Sequence, residues 1–270
     1  MKPDEPPEIT NRWVLAINRW DEKWIRRLNG YPGTFRTKFF HLLSFFGRET
    51  PWLIIVEFFV FIYYKPEYYA FFGGNLIYGL AIVYILKVLT RRQRPWYNIP
   101  DLRVMDGPNT SDSFPSWHTY NLVAFSCSFG YYFHSTWVLA FGLAMSALLA
   151  YSRVYLGVHY PTDVIGGYLA GFAGFFLSWA TTPFWVSAIS FGQQFWPTPV
   201  VYGWNYLFQF WWYWLVVAGV YGFLIYGALY RRLNRKNLTT WDATKAKIVV
   251  SNAKSTEEPN QIVVENPPNS

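Results

Sequence analysis

The chain has 270 residues, 52% of them hydrophobic, 22% aromatic and only 14% charged. Soluble domains average roughly 25% charged residues, so this deficit argues against an ordinary soluble domain and for a membrane protein. The single cysteine, Cys127, excludes an intramolecular disulfide framework. The net charge of +7 gathers toward the ends, where membrane topology explains it better than nucleic-acid binding.

In chain order, residues 1–9 are proline-rich and acidic and are expected to be disordered, with no apolar stretch resembling a signal peptide. Over residues 10–29, Trp13, Ile17, Trp20, Trp24 and Leu28 fall at helical spacing among Arg12, Arg19, Lys23, Arg26 and Arg27. That pattern predicts an amphipathic helix lying in the membrane interface. A first crossing is predicted over 39–64, interrupted by Gly47-Arg48-Glu49-Thr50-Pro51 with a break near Pro51, and with Glu57 inside it. Further crossings are predicted over 69–90, 117–133, 136–152, 163–181 and 206–230, several of them near the ~20 residues a spanning helix needs. Gly167, Ala170, Gly171 and Gly174 predict close helix packing in the fifth crossing. The expected fold class is all-α, a six-transmembrane-helix bundle. Its organisation is an N-terminal segment (1–38) with the interfacial helix, a membrane domain (39–230) and a polar, disordered C-terminal tail (231–270).

Three polar borders interrupt this apolar pattern. The stretch YSRVYLGVHYPTDVIGG, residues 151–167, places Arg153, His159 and Asp163 between two hydrophobic runs. Charges at the bilayer centre cost about 2.5–3.5 kcal/mol even on lenient scales, so their grouping points to a site. With a helix starting nearby, Asp163 could accept a hydrogen bond from one ring nitrogen of His159, leaving the other as an outward lone pair. An Arg–Asp ion pair bracing a loop remains an alternative. The second border, KVLTRRQRP, predicts Lys87, Arg91 and Arg94 stacked on one face of a continuing helix that Pro95 ends. Snorkelling headgroup anchors are the plainer reading of that ridge. In the third, SDSFPSWHT, Ser116 is a helix cap and His118 stands in the first turn, where an anion can bind and receive a proton.

With six crossings all three borders emerge on one side of the membrane. They assemble three cations, a helix N-terminus, two histidines and a carboxylate, which is an inventory for phosphoryl chemistry. No carboxylate or cysteine cluster suits a metal, so no metal and no cofactor are expected.

Taken together, Lys87-x6-Arg94-Pro95, Pro115-Ser116-x-His118 and Ser152-Arg153-x5-His159-x3-Asp163 resemble the signature motifs of the type-2 phosphatidic acid phosphatase superfamily. That superfamily includes lipid phosphate phosphatases, bacterial acid phosphatases and vanadium haloperoxidases. The resemblance spans about residues 40–230. It implies an enzyme in which His159 attacks phosphorus, Asp163 holds its ring, and His118 protonates the departing alkoxide and then activates water. It also implies that Lys87, Arg94, Ser116 and Arg153 bind the phosphate. Trp117 departs from the pattern, which usually has glycine between that serine and histidine.

The expectation is a multi-pass membrane phosphatase acting on a phospholipid or another lipid phosphate, monoester or diphosphate, in the endoplasmic reticulum or another cell membrane. Positive charge on the motif-bearing side predicts a cytosolic site, against the lumenal or exterior placement that the resemblance implies. Sequons at Asn109 and Asn237 lie on that same side. Two rivals stand beside this reading: a phosphotransferase of the sphingolipid-synthase type, and an inactive membrane scaffold or lipid binder.

Overall fold

The structure is a computed structural model and describes residues 12–99, 101–106, 111–195, 214–227 and 229. Among the described residues there are helices and no strand. They are α1 (Arg12–Leu28), α2 (Phe35–Phe46), α3 (Glu49–Glu57) with a π-helical continuation (Phe58–Ile62), α4 (Pro66–Thr90) and α5 (Pro95–Asn98). After these come α6 (Trp117–Tyr132), α7 (Thr136–Tyr155), α8 (Pro161–Gln193) and α9 (Trp214–Gly227). The stretches Pro66–Asn98, Thr136–Tyr155 and Pro161–Gln193 are each long and apolar enough to cross a membrane. The expected disordered ends, both sequons and the basic cluster after residue 230 lie outside the described residues.

Helix α6 is the centre of the bundle, packed against α4, α7 and α8. Every residue from Thr119 to Ser128 is buried, so apolar residues have no preferred face along it. Lipid offers no hydrophobic drive for helix pairing, so contact here depends on close van der Waals fit. The small residues of α8 provide that fit: a Cβ at Gly171 would lie 2.7 Å from Cβ of Val123 and 2.9 Å from the Tyr120 carbonyl oxygen. On the other flank Trp52 stacks on Phe125 at 4.2 Å, and Phe72 stacks on Phe125 at 5.7 Å. Outward faces are apolar too, with Leu80, Tyr84 and Leu89 of α4, Trp137 and Phe141 of α7, and Leu169 and Phe176 of α8 all exposed.

Three expected boundaries need correction. The first expected crossing does not break at Pro51 itself. The chain breaks at Gly47-Arg48, and Pro51 sits in the first turn of α3, where its missing N–H removes no helical hydrogen bond. Both ends of α2 lie near the C-terminal end of α7, since Thr37 approaches the Tyr155 hydroxyl at 3.5 Å and Ser44 accepts from Arg153 at 2.9 Å. The fifth helix overruns its expected end at residue 181 and continues through Pro183 to Gln193. The basic ridge is also different. Helix α4 stops at Thr90, and Arg91 takes the left-handed conformation (φ 43°), so Lys87, Arg91 and Arg94 do not share one helical face.

Candidate active site

The end of α4, the start of α6, the end of α7 and the start of α8 meet at one end of the bundle. Two main-chain bonds knit them together: Ser113 N–H donates to the Arg92 carbonyl at 2.8 Å, and Ser116 N–H to the Asp163 carbonyl at 2.9 Å.

His159 stands in the short turn between α7 and α8 and is 2% exposed. Its Nε2 lies 3.3 Å from Nη1 of Arg94, and its Nδ1 lies 3.4 Å from Oδ2 of Asp163. A guanidinium has no acceptor, so Nε2 must offer its lone pair there, which leaves the proton on Nδ1, near the carboxylate but without a hydrogen-bond partner among the described residues. Burial, then Arg94, Arg153 and Lys87, hold the imidazole well below its ordinary pKa of 6.5. The ring is therefore neutral at physiological pH and its Nε2 lone pair points into a cationic pocket.

Asp163 is fully buried in the first turn of α8. Its Oδ1 accepts from Nη1 of Arg92 at 2.8 Å, while its Oδ2 accepts from the Tyr160 N–H at 2.8 Å and from the Ser113 hydroxyl. The carboxylate thus caps its own helix while it faces His159.

The cations fall into two classes. Arg92 pairs with Asp21 and Asp163, and Arg153 pairs with Asp106 at 2.8 Å while also reaching Ser44. Lys87 and Arg94 are different. Lys87 Nζ donates to the Asp112 carbonyl, and Arg94 donates to the Ser111 carbonyl (2.7 Å), the Ser111 hydroxyl (3.1 Å) and the Val158 carbonyl (3.1 Å). Among the described residues neither has a carboxylate within ion-pair distance. Two cations held by neutral oxygens beside a neutral imidazole have the chemistry to accept an anion.

Ser116 caps α6, accepting from the Thr119 N–H and from its hydroxyl at 3.1 Å. His118, in the first turn, lies within electrostatic range of Arg153, Asp106, His159 and Arg48. Gly47 packs directly on its ring: a Cβ there would come within 2.7 Å of Cβ and Cδ2 of His118. Trp117 stacks flat on Tyr120 at 5.5 Å, and its indole N–H points to Glu49 at 3.4 Å. Of the seven residues singled out from sequence, Lys87, Ser116, His118, Arg153 and Asp163 lie at the four converging helix ends, His159 in the turn between α7 and α8, and Arg94 at the start of α5. Sequence reasoning missed Arg92, Asp106, Ser113 and Asp21. Arg92 carried a weak signal as part of the basic run, and Asp21 carried none. Among the described residues no group of three or more His, Cys, Asp or Glu is arranged to hold a metal ion.

Residues 68–187, which hold all seven, match the model of the PAP2 superfamily. This stretch is similar to a PAP2 domain. The chain is 29% identical over 133 residues to the undecaprenyl-diphosphatase of Sulfolobus acidocaldarius, covering 48% of this chain and 62% of that protein. It is 38% identical over 95 residues to the decaprenylphosphoryl-5-phosphoribose phosphatase of Mycolicibacterium smegmatis, covering 35% of this chain and 48% of that one. The crystal structure of Aquifex aeolicus LpxE superposes with a TM-score of 0.50 at 25% identity, covering 58% of this chain and 93% of that chain. The chain therefore spans less than two thirds of the length of these two curated relatives. Asp21 and Gly47 lie outside the segment matched to the PAP2 model.

Proposed function

We propose that the protein is an integral membrane phosphatase that hydrolyses lipid phosphate monoesters or diphosphates through a phosphohistidine on His159. The observation that carries this reading is the pair Lys87 and Arg94, with no carboxylate within ion-pair distance among the described residues, beside the neutral His159. In the proposed reaction a phosphate group enters that site, displacing the contact between Arg94 and Nε2. The Nε2 lone pair forms the N–P bond as the P–O bond to the leaving group breaks, and His118, as the imidazolium beside the bound phosphate anion, gives a proton to the departing oxygen and becomes neutral. A water then attacks phosphorus, His118 takes back a proton, and the N–P bond breaks to release inorganic phosphate. Lys87, Arg94 and Arg153 stabilise the equatorial oxygens throughout, and Asp163 keeps the ring of His159 in the Nδ1–H tautomer. This assignment needs no metal, because side chains supply the compensating charge.

The same reading places six crossings in the membrane, formed by α3 with its π-helical continuation, α4, α6, α7, α8 and the segment containing α9. Helix α1, with Trp13, Ile17, Trp20 and Trp24 exposed, lies at the membrane surface. The basic residues on the site's side put the phosphate pocket in the cytosol. A lipid substrate keeps its tail in the bilayer while its headgroup enters at the bundle's end. The names of the relatives favour polyprenyl phosphates and diphosphates as the first substrates to test.

The test is phosphate release in detergent from undecaprenyl diphosphate, phosphatidate and a sphingoid-base phosphate, with EDTA present throughout. Expected are turnover on at least one of them and its loss in His159→Ala and His118→Ala. Turnover that survives His159→Ala, or that EDTA abolishes, refutes the mechanism.

A further inference from the structure

Asp21 is buried completely although it belongs to α1, whose other wholly buried residue is Ile25. Its Oδ1 accepts from the Thr162 N–H at 2.9 Å, one of the N–H groups in the first turn of α8 that has no partner within its own helix. Its Oδ2 accepts from the Thr162 hydroxyl and from Nη2 of Arg92, the latter at 2.5 Å. The other arm of Arg92, Nη1, donates to Asp163 Oδ1 at 2.8 Å and to the Thr162 hydroxyl at 2.6 Å. The guanidinium itself lies 4.3 Å from the centre of the Tyr160 ring. One planar fork therefore bridges two buried carboxylates, one from α1 and the other facing His159.

The division of labour within Asp163 makes this bridge consequential. Ser113 and the Tyr160 N–H donate to Oδ2, which also stands 3.4 Å from Nδ1 of His159, while Arg92 donates to Oδ1. The carboxylate plane is set by the two oxygens together. If Arg92 swings, Oδ1 loses its donor, the carboxylate turns about its own axis, and Oδ2 moves off Nδ1 of His159. Arg92 has three single-bond-linked methylenes and needs a fixed counter-charge to stay in one rotamer. Asp21 is that counter-charge, and its two bonds to Thr162 hold it in place.

We propose that Asp21 is a positioning residue for the reaction. It acts through Arg92 to hold the Asp163 carboxylate at the angle that presents Oδ2 to His159. The inference rests on the phosphohistidine reading above, and it makes α1 part of the catalytic apparatus although that helix lies outside the matched PAP2 segment. A membrane-surface helix thereby reaches the nucleophile through three side chains.

The experiment uses the full chain in detergent and compares Asp21→Asn, Arg92→Lys, Asp163→Asn and the double variant Asp21→Asn/Asp163→Asn. Asparagine at 21 keeps an acceptor for Thr162 and removes the charge that holds Arg92. Expected for Asp21→Asn is a fall in kcat of about tenfold with KM within about twofold, because a charge-assisted bond is lost from the positioning chain. Arg92→Lys loses a similar factor, since an ammonium cannot fork between two carboxylates. In the Asp163→Asn background the Asp21→Asn change costs less than about twofold, because residues acting as one unit are not additive. Unchanged kcat in Asp21→Asn, or an equal loss in both backgrounds, overturns the proposal. A second readout is the imidazole 15N spectrum, with the His159 signals assigned from His159→Gln. Asp21→Asn should shift His159 away from its Nδ1–H tautomer, and an unchanged tautomer overturns the proposal even in an enzyme that shows no turnover. Absence of turnover in the unmodified chain, by contrast, sinks the phosphatase reading alone.

Discussion

Gly47 is a residue without chemistry whose replacement should damage chemistry. It closes α2 with φ −82° and ψ −8°, a conformation that alanine adopts without strain. The added methyl would lie 2.7 Å from Cβ and Cδ2 of His118 and 3.0 Å from Cγ, where ordinary contact begins at 3.4 Å, so something must move by about 0.7 Å. The main chain of Gly47 is restrained, because its carbonyl accepts from Asn121 Nδ2 at 3.0 Å. The imidazole is the softer side of the contact. A misplacement approaching 1 Å in a catalytic group costs up to about a hundredfold, so Gly47→Ala is expected to lower kcat by about thirtyfold. The accompanying loss of stability should stay near 1–3 kcal/mol, the usual cost of overpacking. The assay compares an alkyl phosphate, whose departing oxygen needs a proton, with an aryl phosphate whose oxygen leaves unprotonated. If His118 is the proton donor, the loss on the aryl substrate shrinks to about fivefold or less, since the displaced proton no longer matters. Equal losses on both substrates, or full activity on the alkyl phosphate, would refute the reasoning.

Three further outcomes follow from the geometry. Replacing Arg153 by Met removes the guanidinium paired with Asp106, whose side chain is 2% exposed, and should cost about 3–5 kcal/mol, seen as a lower melting temperature that Asp106→Asn partly restores. The pKa of His159 is depressed in the folded chain and ordinary in the unfolded one, so below pH 6.5 the unfolded state binds the extra proton and stability falls as pH falls. Melting curves from pH 7 to pH 5 should therefore descend less steeply in His159→Gln than in the unmodified chain, and equal slopes would count against a neutral buried imidazole. Gly171→Leu should separate α6 from α8 and lower the melting temperature sharply, whereas Gly192→Leu, with nothing within 4 Å of its Cβ, should leave it unchanged.

The site was legible wherever its residues come in short ionisable runs beside apolar ones. Arg153, His159 and Asp163 follow closely in the chain across the turn between α7 and α8, and Ser116 announces a helix start by its own side chain, which the observed cap repeats. Arg94 is followed by Pro95, which opens α5 as its first residue. What misled was periodicity carried too far. The spacing of Lys87, Arg91 and Arg94 assumes an unbroken helix, but Arg91 turns left-handed, and it is Arg92 that swings inward between two carboxylates. Pro51 reads as a helix breaker by composition, yet a proline in the first turn of a helix breaks nothing. Asp21 reads as one more polar residue on an amphipathic helix, because its partner lies 141 positions away.

By itself the sequence determined that apolar helices carry this chain and that its ionisable residues cluster at their ends. Both follow from short-range physics: the cost of a charge in lipid, the pitch of a helix, and the backbone groups each helix end leaves without partners. Only the tertiary structure decided which of the described cations pair with a carboxylate and which are held by neutral oxygens. It also decided that α1 reaches the carboxylate facing His159. Those outcomes depend on distances between segments remote in the chain, and no local pattern of residues encodes such distances.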